Sequence, residues 1–292
     1  MHQMSALRLM WMRGVGEAEF ASGLSTSTQL AFWILTHLGN PYGLLAVVLL
    51  LYASGSKLGV TPQYALCVLA CGLIAVGVTI GLKHYFLLAR PPTSYRGGYG
   101  FPSGHAFGAT VFWGAIGILS ARQGRRARVA GAICVILTVA ASRVIIGVHY
   151  IIDVIVGMTL GASVLLVAVT LPTLARRHGA SSPTRVSLNV LFAGAILSNS
   201  TATLFAPGRS ELYMTLGIAL AVSAALCRQD RSFIPGFRSR SFPPPTVAII
   251  ILAASGGLVM TLYQAQLNGL MLTLCGSGLT GGWLWFATIV RT

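Results

Sequence analysis

Apolar residues run through this chain in long stretches, and the polar residues are gathered into short breaks between them. The stretches lie near 62–82, 105–121, 127–143, 150–171, 186–206, 211–227, 246–264 and 268–290. Each is close to the ~20 residues a helix needs to cross the hydrocarbon of a bilayer. The first region, 29–53, is also apolar but is interrupted by Gly39-Asn40-Pro41. It reads as a helix near 41–56 preceded by a short helix near 20–38. That short helix either spans or lies in the interface, which leaves the side of the N-terminus open. The strings FPPPT (242–246) and RRHGASSPTR (176–185) are turn-rich breaks. No soluble domain is visible, and the pattern predicts an all-α, polytopic membrane helix bundle.

Composition agrees with the pattern. Hydrophobic residues make up 55% of the 292, and only 9% are charged, the balance of a membrane protein. The formal net charge of +15 would suggest nucleic acid in a soluble protein. Here topology explains it, and no nucleic-acid partner is expected. The five cysteines (Cys67, Cys71, Cys134, Cys227 and Cys275) lie in or beside apolar stretches and include no CxxC pair. They do not read as a disulfide framework or a metal site; Cys67 and Cys71 share a helical face and read as packing. The N-terminal 20 residues lack a positive-apolar-small signal pattern, so no cleavage is expected.

Lys and Arg set the orientation. If the side carrying RQGRRAR (122–128) is cytoplasmic, alternation gathers 13 of the 20 basic residues there, from Lys57 to Arg291. Arg8 and Arg13 join them only if 20–38 crosses. The outer side keeps Lys83, Arg90, Arg96, Arg143 and Arg209. The expected location is therefore the cytoplasmic (inner) membrane, multi-pass, with the chemistry described next facing outward, toward the periplasm.

Three segments meet on that outer side: KHYFLLARP (83–91), the PSGH that opens the 105–121 stretch, and SRVIIGVHYIID (142–153). They bring together Lys83, Arg90, Arg143, His105, His149 and Asp153, one of only five acids in the chain. These residue types fit phosphoryl transfer, in which negative charge spreads over the equatorial oxygens and fixed cations stabilise it. Lys83, Arg90 and Arg143 supply the cations, and arginine adds forked donors that match phosphate oxygens. Ser103 and Gly104 begin a helix whose N–H groups and dipole favour an anion, with Pro102 suited to the turn. His149 and Asp153 are four apart and share a helical face. The carboxylate accepts from one imidazole nitrogen and leaves the other to attack, which makes His149 the candidate nucleophile. His105 is the candidate acid for the leaving oxygen and base for the incoming water. A lone intramembrane histidine is ordinarily a packed or interfacial group. His37 and His84 lack the context of the other two and read that way. Ionisable groups at membrane depth are costly and tend to be functional, and here six converge.

The chain resembles the type 2 phosphatidic acid phosphatase superfamily, which also includes vanadium haloperoxidases and glucose-6-phosphatase. The resemblance rests on Lys83-x6-Arg90-Pro91, Pro102-Ser103-Gly104-His105 and Ser142-Arg143-x5-His149-x3-Asp153, in the family's order and spacing, and covers about residues 20–172. It implies a six-helix core and hydrolysis without metal or other cofactor, with catalytic His149, His105 and Asp153 and phosphate-binding Lys83, Arg90, Ser103, Gly104 and Arg143. Membrane-bound bacterial members act on lipid phosphates and diphosphates such as undecaprenyl diphosphate, phosphatidylglycerol phosphate or phosphatidic acid. The expected partners are thus a lipid phosphate and the bilayer; the oligomeric state is left open. The chain divides into a catalytic membrane domain (1–175) and a bundle of about four additional transmembrane helices (176–292) in which no motif is readable. Two alternatives stay open: a phosphotransferase passing phosphate to a lipid or sugar hydroxyl, and, lower in rank, an anionic-lipid transporter.

Overall fold

Helix ends decide how this protein assembles its polar groups. The computed structural model describes residues 13–54, 61–119 and 124–227. Within them the chain is α-helical, with no named strand and one isolated bridge between Ala89 and Tyr99. The helices are α1 (Val15–Gly23), α2 (Thr26–Leu35), α3 (Pro41–Ser54), α4 (Pro62–Phe86), α5 (Gly104–Leu119), α6 (Arg125–Ile145), α7 (Ile151–Arg177), α8 (Pro183–Phe205) and α9 (Ser210–Cys227), with a 3-10 turn at Thr36–Gly39. Five of them, α4 and α6 to α9, are long and apolar enough to cross a membrane, and the protein is a multi-pass integral membrane protein. The stretches at 246–264 and 268–290 lie outside the described residues, as do Arg8, Lys57 and the basic residues at 122 and from 228 onward.

The sequence places most helices to within a few residues, and the differences have local causes. The short helix expected at 20–38 is two helices. Ser25 interrupts them and caps α2, its Oγ accepting from the Thr28 N–H at 3.2 Å. α4 extends to Phe86 and carries Lys83 and His84 on its last turn. α7 continues through Pro172 to Arg177; a proline removes one backbone bond, which membrane helices tolerate. Its end is set instead by Gly179, which adopts φ +74° while the N–H groups of His178, Gly179 and Ala180 close onto carbonyls of the last turn.

Among the described residues, 13–45 and 78–167 form one compact unit, and 46–77 with 168–227 form a second. In the first, α5 and α7 approach closely because α7 presents two glycines one turn apart. A Cβ at Gly157 would lie 2.5 Å from the Ser103 carbonyl oxygen, and one at Gly161 would lie 2.7 Å from the Thr110 Cβ. Small residues at such a contact let backbones meet. Here they press the start of α5 against the start of α7. Ala106, Ala140 and Val154 are buried together, with Val144 and Met158 packed against them. In the second unit α8 packs on α9, and the side chain of Asn199, on α8, is fully buried.

Candidate active site

The site lies within the first unit, where four successive helices alternate the ends they place there: the C-terminus of α4, the N-terminus of α5, the C-terminus of α6 and the N-terminus of α7. Lys83 sits in the last turn of α4 and Arg143 in the last turn of α6, while Asp153 sits in the first turn of α7. Cations at C-termini and a carboxylate at an N-terminus are each placed favourably against the helix dipoles.

Between α4 and α5 the chain doubles back on itself. Ala89 and Tyr99 form a bridge, the Gly100 N–H donates to the Leu88 carbonyl at 2.8 Å, and Lys83 Nζ donates to the Tyr99 carbonyl at 3.1 Å. This folded loop returns PSGH to the cations that precede it. Gly104 is the first residue of α5, as the spacing predicts, and Ser103 caps it, its Oγ accepting from the Ala106 N–H at 3.5 Å. The structure changes one part of the expected anion cradle. The Ser103 N–H is not available to a ligand, because it donates to the Asp153 carbonyl at 2.9 Å. The glycine contact with α7 brings that carbonyl within reach. Ser103 therefore has its hydroxyl to offer, with the first N–H groups of α5 beside it.

His149 lies in the turn between α6 and α7. The Arg143 carbonyl holds this turn, accepting from the N–H groups of both Val148 and His149 at 3.2 Å. The ring is buried, with Nδ1 3.3 Å from Asp153 Oδ2. This is the pairing the i, i+4 spacing predicts, and it makes Nδ1 the donor. Nε2 is not free, however. Arg90 Nη1 lies 3.1 Å from it and donates to its lone pair. Arg90 is aimed there by its own anchors, donating through Nε to Gly97 and through Nη1 to Val148 carbonyls at 3.3 and 3.0 Å. Burial first, then Lys83, Arg143, Arg90 and Arg13, hold His149 well below the ordinary histidine range, and the Arg90 donor facing Nε2 matches a lone pair on that nitrogen. Burial and then Arg96 push the Arg90 guanidinium down from its usual value.

The remaining predicted residues join the same cluster. Arg143 is 1% exposed and donates through Nη1 to Thr36 Oγ1 at 2.8 Å. His105 is partly buried on the first turn of α5, within electrostatic reach of Arg143, His149 and Lys83. Among the described residues its ring makes no hydrogen bond. His37 and His84 do other work, each donating Nδ1–H to the carbonyl one turn earlier at 2.9 Å.

Two residues of the cluster escaped the sequence reading. Arg13 Nη2 lies 3.1 Å from Asp153 Oδ2, and its guanidinium stacks over the Tyr150 ring at 4.6 Å. Thr36 is the partner of Arg143. Arg13 and Thr36 bracket α1 and α2, and both ends of that segment meet the site. Residues 13–36 therefore do not cross the membrane, and Arg13 lies on the same side as the site, not opposite it. The charge count gave no signal of this, since it favours Arg13 on the basic-rich side; only the contact with Asp153, 140 residues away, places it. Glu17 fastens the segment, its Oε2 accepting from the Ile151 N–H at the start of α7 at 2.8 Å.

Residues 64–177 match the protein family described as the PAP2 superfamily, a span that contains all three motifs. No curated protein and no solved structure matches the chain.

Proposed function

We propose that the protein hydrolyses a lipid phosphate or diphosphate through a phosphohistidine at His149, starting from the match of residues 64–177 to the PAP2 superfamily, whose members are generally phosphatases acting on phosphate esters. The observation that carries the reading is the placement of His149. Its Nδ1 lies against Asp153 and its Nε2 faces Arg90, among the cations Lys83, Arg90, Arg143 and Arg13.

The chemistry follows from that arrangement. A phosphate group offers Arg90 charged oxygens in place of a neutral ring nitrogen, a stronger acceptor for its forked donors. Arg90 transfers to it, and Nε2 of His149 is uncovered facing the phosphorus. Nε2 forms the P–N bond as the P–O bond to the lipid breaks. Lys83, Arg90 and Arg143 balance the equatorial charge, and His105 gives its proton to the departing oxygen. Asp153 holds the imidazole by Nδ1 and stabilises the positive charge that grows on the ring. Water then attacks the phosphorus, His105 takes its proton, the P–N bond breaks, and phosphate leaves with His149 restored. The fixed cations supply charge that a metal ion supplies in other phosphatases, so the scheme requires none.

A lipid is favoured over a soluble ester by what surrounds the site. Arg13 and Thr36 are joined by helices that expose Phe20, Leu30, Trp33 and Ile34, an apolar face at site level against which acyl or prenyl tails remain in the bilayer. The excess of Lys and Arg at the opposite helix ends supports an outward-facing site at the cytoplasmic membrane. Residues 176–292 take a separate role in this reading, in assembly, partner binding or control of lipid access.

The test is phosphate release by the purified full-length protein from phosphatidic acid, phosphatidylglycerol phosphate and undecaprenyl diphosphate, with an acceptor alcohol present and with EDTA. The reading expects release from at least one lipid, undiminished by EDTA. Phosphate appearing only on the alcohol would make the protein a phosphotransferase, and no turnover of any lipid would reject the reading.

A further inference from the structure

We propose that Arg13 is a positioning residue that fixes the charge state of the His149–Asp153 pair. The inference rests on the reading of His149 as nucleophile and adds to it a residue outside all three motifs, 140 positions from its partner.

Asp153 is 0% exposed, and its bonds are lopsided. Oδ2 accepts from Arg13 Nη2 at 3.1 Å, from His149 Nδ1 at 3.3 Å and from the Tyr150 N–H at 3.2 Å. Oδ1 is buried with no partner. A buried carboxylate facing only an imidazole and a backbone N–H has two ways to relieve its charge. It can take a proton itself, and then no longer attracts Nδ1–H as an anion. It can also hold the imidazole as imidazolium, and an imidazolium has no lone pair with which to attack. Arginine offers a third way, because its charge does not titrate in a protein. Arg13 neutralises Asp153 through the oxygen that His149 uses, so the ring is oriented by a carboxylate without being protonated by it.

The surroundings are built for this contact. The Arg13 side chain is 6% exposed. Tyr150, the neighbour of His149, provides the ring on which the guanidinium lies. Gly100 leaves it room: a Cβ there would come within 3.0 Å of Arg13 Nη2 and 3.1 Å of Asp153 Oδ2. The other charged or titratable groups around His149 are Lys83 from α4, Arg90 from the loop after it, His105 from α5 and Arg143 from α6. The bonds to the Asp153 carboxylate come from Arg13, His149 and the Tyr150 N–H.

A mere anchor for the N-terminal segment would affect activity equally at every pH, and a charge-setting residue would not. The experiment is the pH profile of kcat/KM for the full-length protein, Arg13→Gln and Arg13→Lys, with a short-chain phosphatidic acid. Removing the positive charge favours protonation of the pair. The acid limb of Arg13→Gln should therefore move to higher pH by about one unit, with activity recovering toward the parent's above the limb. Arg13→Lys, which keeps the charge, should restore the parent's profile. Tyr150→Leu, which keeps Arg13 but removes its ring, is the second perturbation should Arg13→Gln fail to fold, and it should move the limb in the same direction by less. An acid limb at the parent's pH in the folded variants overturns the proposal, whether or not the rate is uniformly lowered. Trapping labelled phosphate on His149 of the parent separates the two ideas. Label on His149 with an unmoved limb rejects Arg13 alone, and label on another residue rejects the nucleophile and the inference with it.

Discussion

Asn199 and Asp153 are both fully buried, one in each compact unit, and the protein finishes the first but not the second. Asn199 Nδ2 donates to the Leu73 and Ala195 carbonyls at 3.0 and 2.8 Å, and its Oδ1 accepts from the Thr215 hydroxyl at 2.6 Å. Donor and acceptor ends are both matched, all partners are neutral, and α4, α8 and α9 are joined. In the other unit the buried groups are charged and the matching is incomplete: Asp153 Oδ1, Arg13 Nε and Arg143 Nε are buried without partners. A saturated neutral amide ties membrane helices together. Unsaturated charged groups are costly to keep unless a ligand completes them, and a phosphate brings acceptors for the guanidinium groups, though not for Oδ1 of Asp153. The contrast separates a polar group that holds the fold from polar groups held in place by it.

The largest effect should come from the nucleophile. His149→Ala should lower turnover by at least about 10³-fold while the protein remains folded in detergent. More than a tenth of the activity surviving in a purified sample would erase the contrast, since the site would then tolerate deletion as a structural position does. His105→Ala should cost about 10²- to 10⁴-fold with poor leaving groups and far less with an activated ester such as nitrophenyl phosphate. Equal losses with both would remove His105 from the acid role.

How far this was readable from sequence differs between the same two regions. Hydropathy alone placed the membrane helices, because a span has to be both long and apolar. The ends were less legible. Nothing in the apolar pattern says that α4 carries Lys83 in its last turn, or that α7 passes through Pro172 before Gly179 stops it. The six ionisable residues of the motifs were legible because they lie in three short segments, each with a spacing of its own that can be matched locally. Arg13 and Thr36 were not, since each acts across more than 100 residues with no local pattern to mark it. The free Nε2 expected of His149 was a statement about two residues, and Arg90, a third, alters it. Asn199 lay hidden for another reason: one amide in a stretch of apolar residues has many bland readings until its partners are seen.

Smaller in size is the effect of pH. His149 lies well below its ordinary value of 6.5, so the neutral nucleophile persists as the pH falls through 6.5. The acid limb of kcat/KM should lie below that pH. Stability carries a matching sign: below 6.5 the unfolded chain binds a proton at this histidine that the folded protein does not, and stability falls with falling pH. A limb above 6.5 in the free enzyme would mean that the ring is not shielded as its burial among cations implies. The smallest effect should come from Asn199→Leu, with a loss of about 0.6 to 1.7 kcal/mol in stability, read by thermal unfolding in detergent, and the pH profile and leaving-group dependence intact. A changed profile would mean that Asn199 is not merely a tie between helices.

The central claim, that His149 becomes phosphorylated, is open to one direct measurement. The full-length protein is mixed with a radiolabelled lipid phosphate, quenched within a turnover and digested, and the labelled peptide is sequenced. The account predicts alkali-stable, acid-labile label on the peptide containing His149, absent from His149→Ala and reduced in Asp153→Asn. Label on Ser103, or turnover by a protein that takes up no label at any quench time, would contradict it.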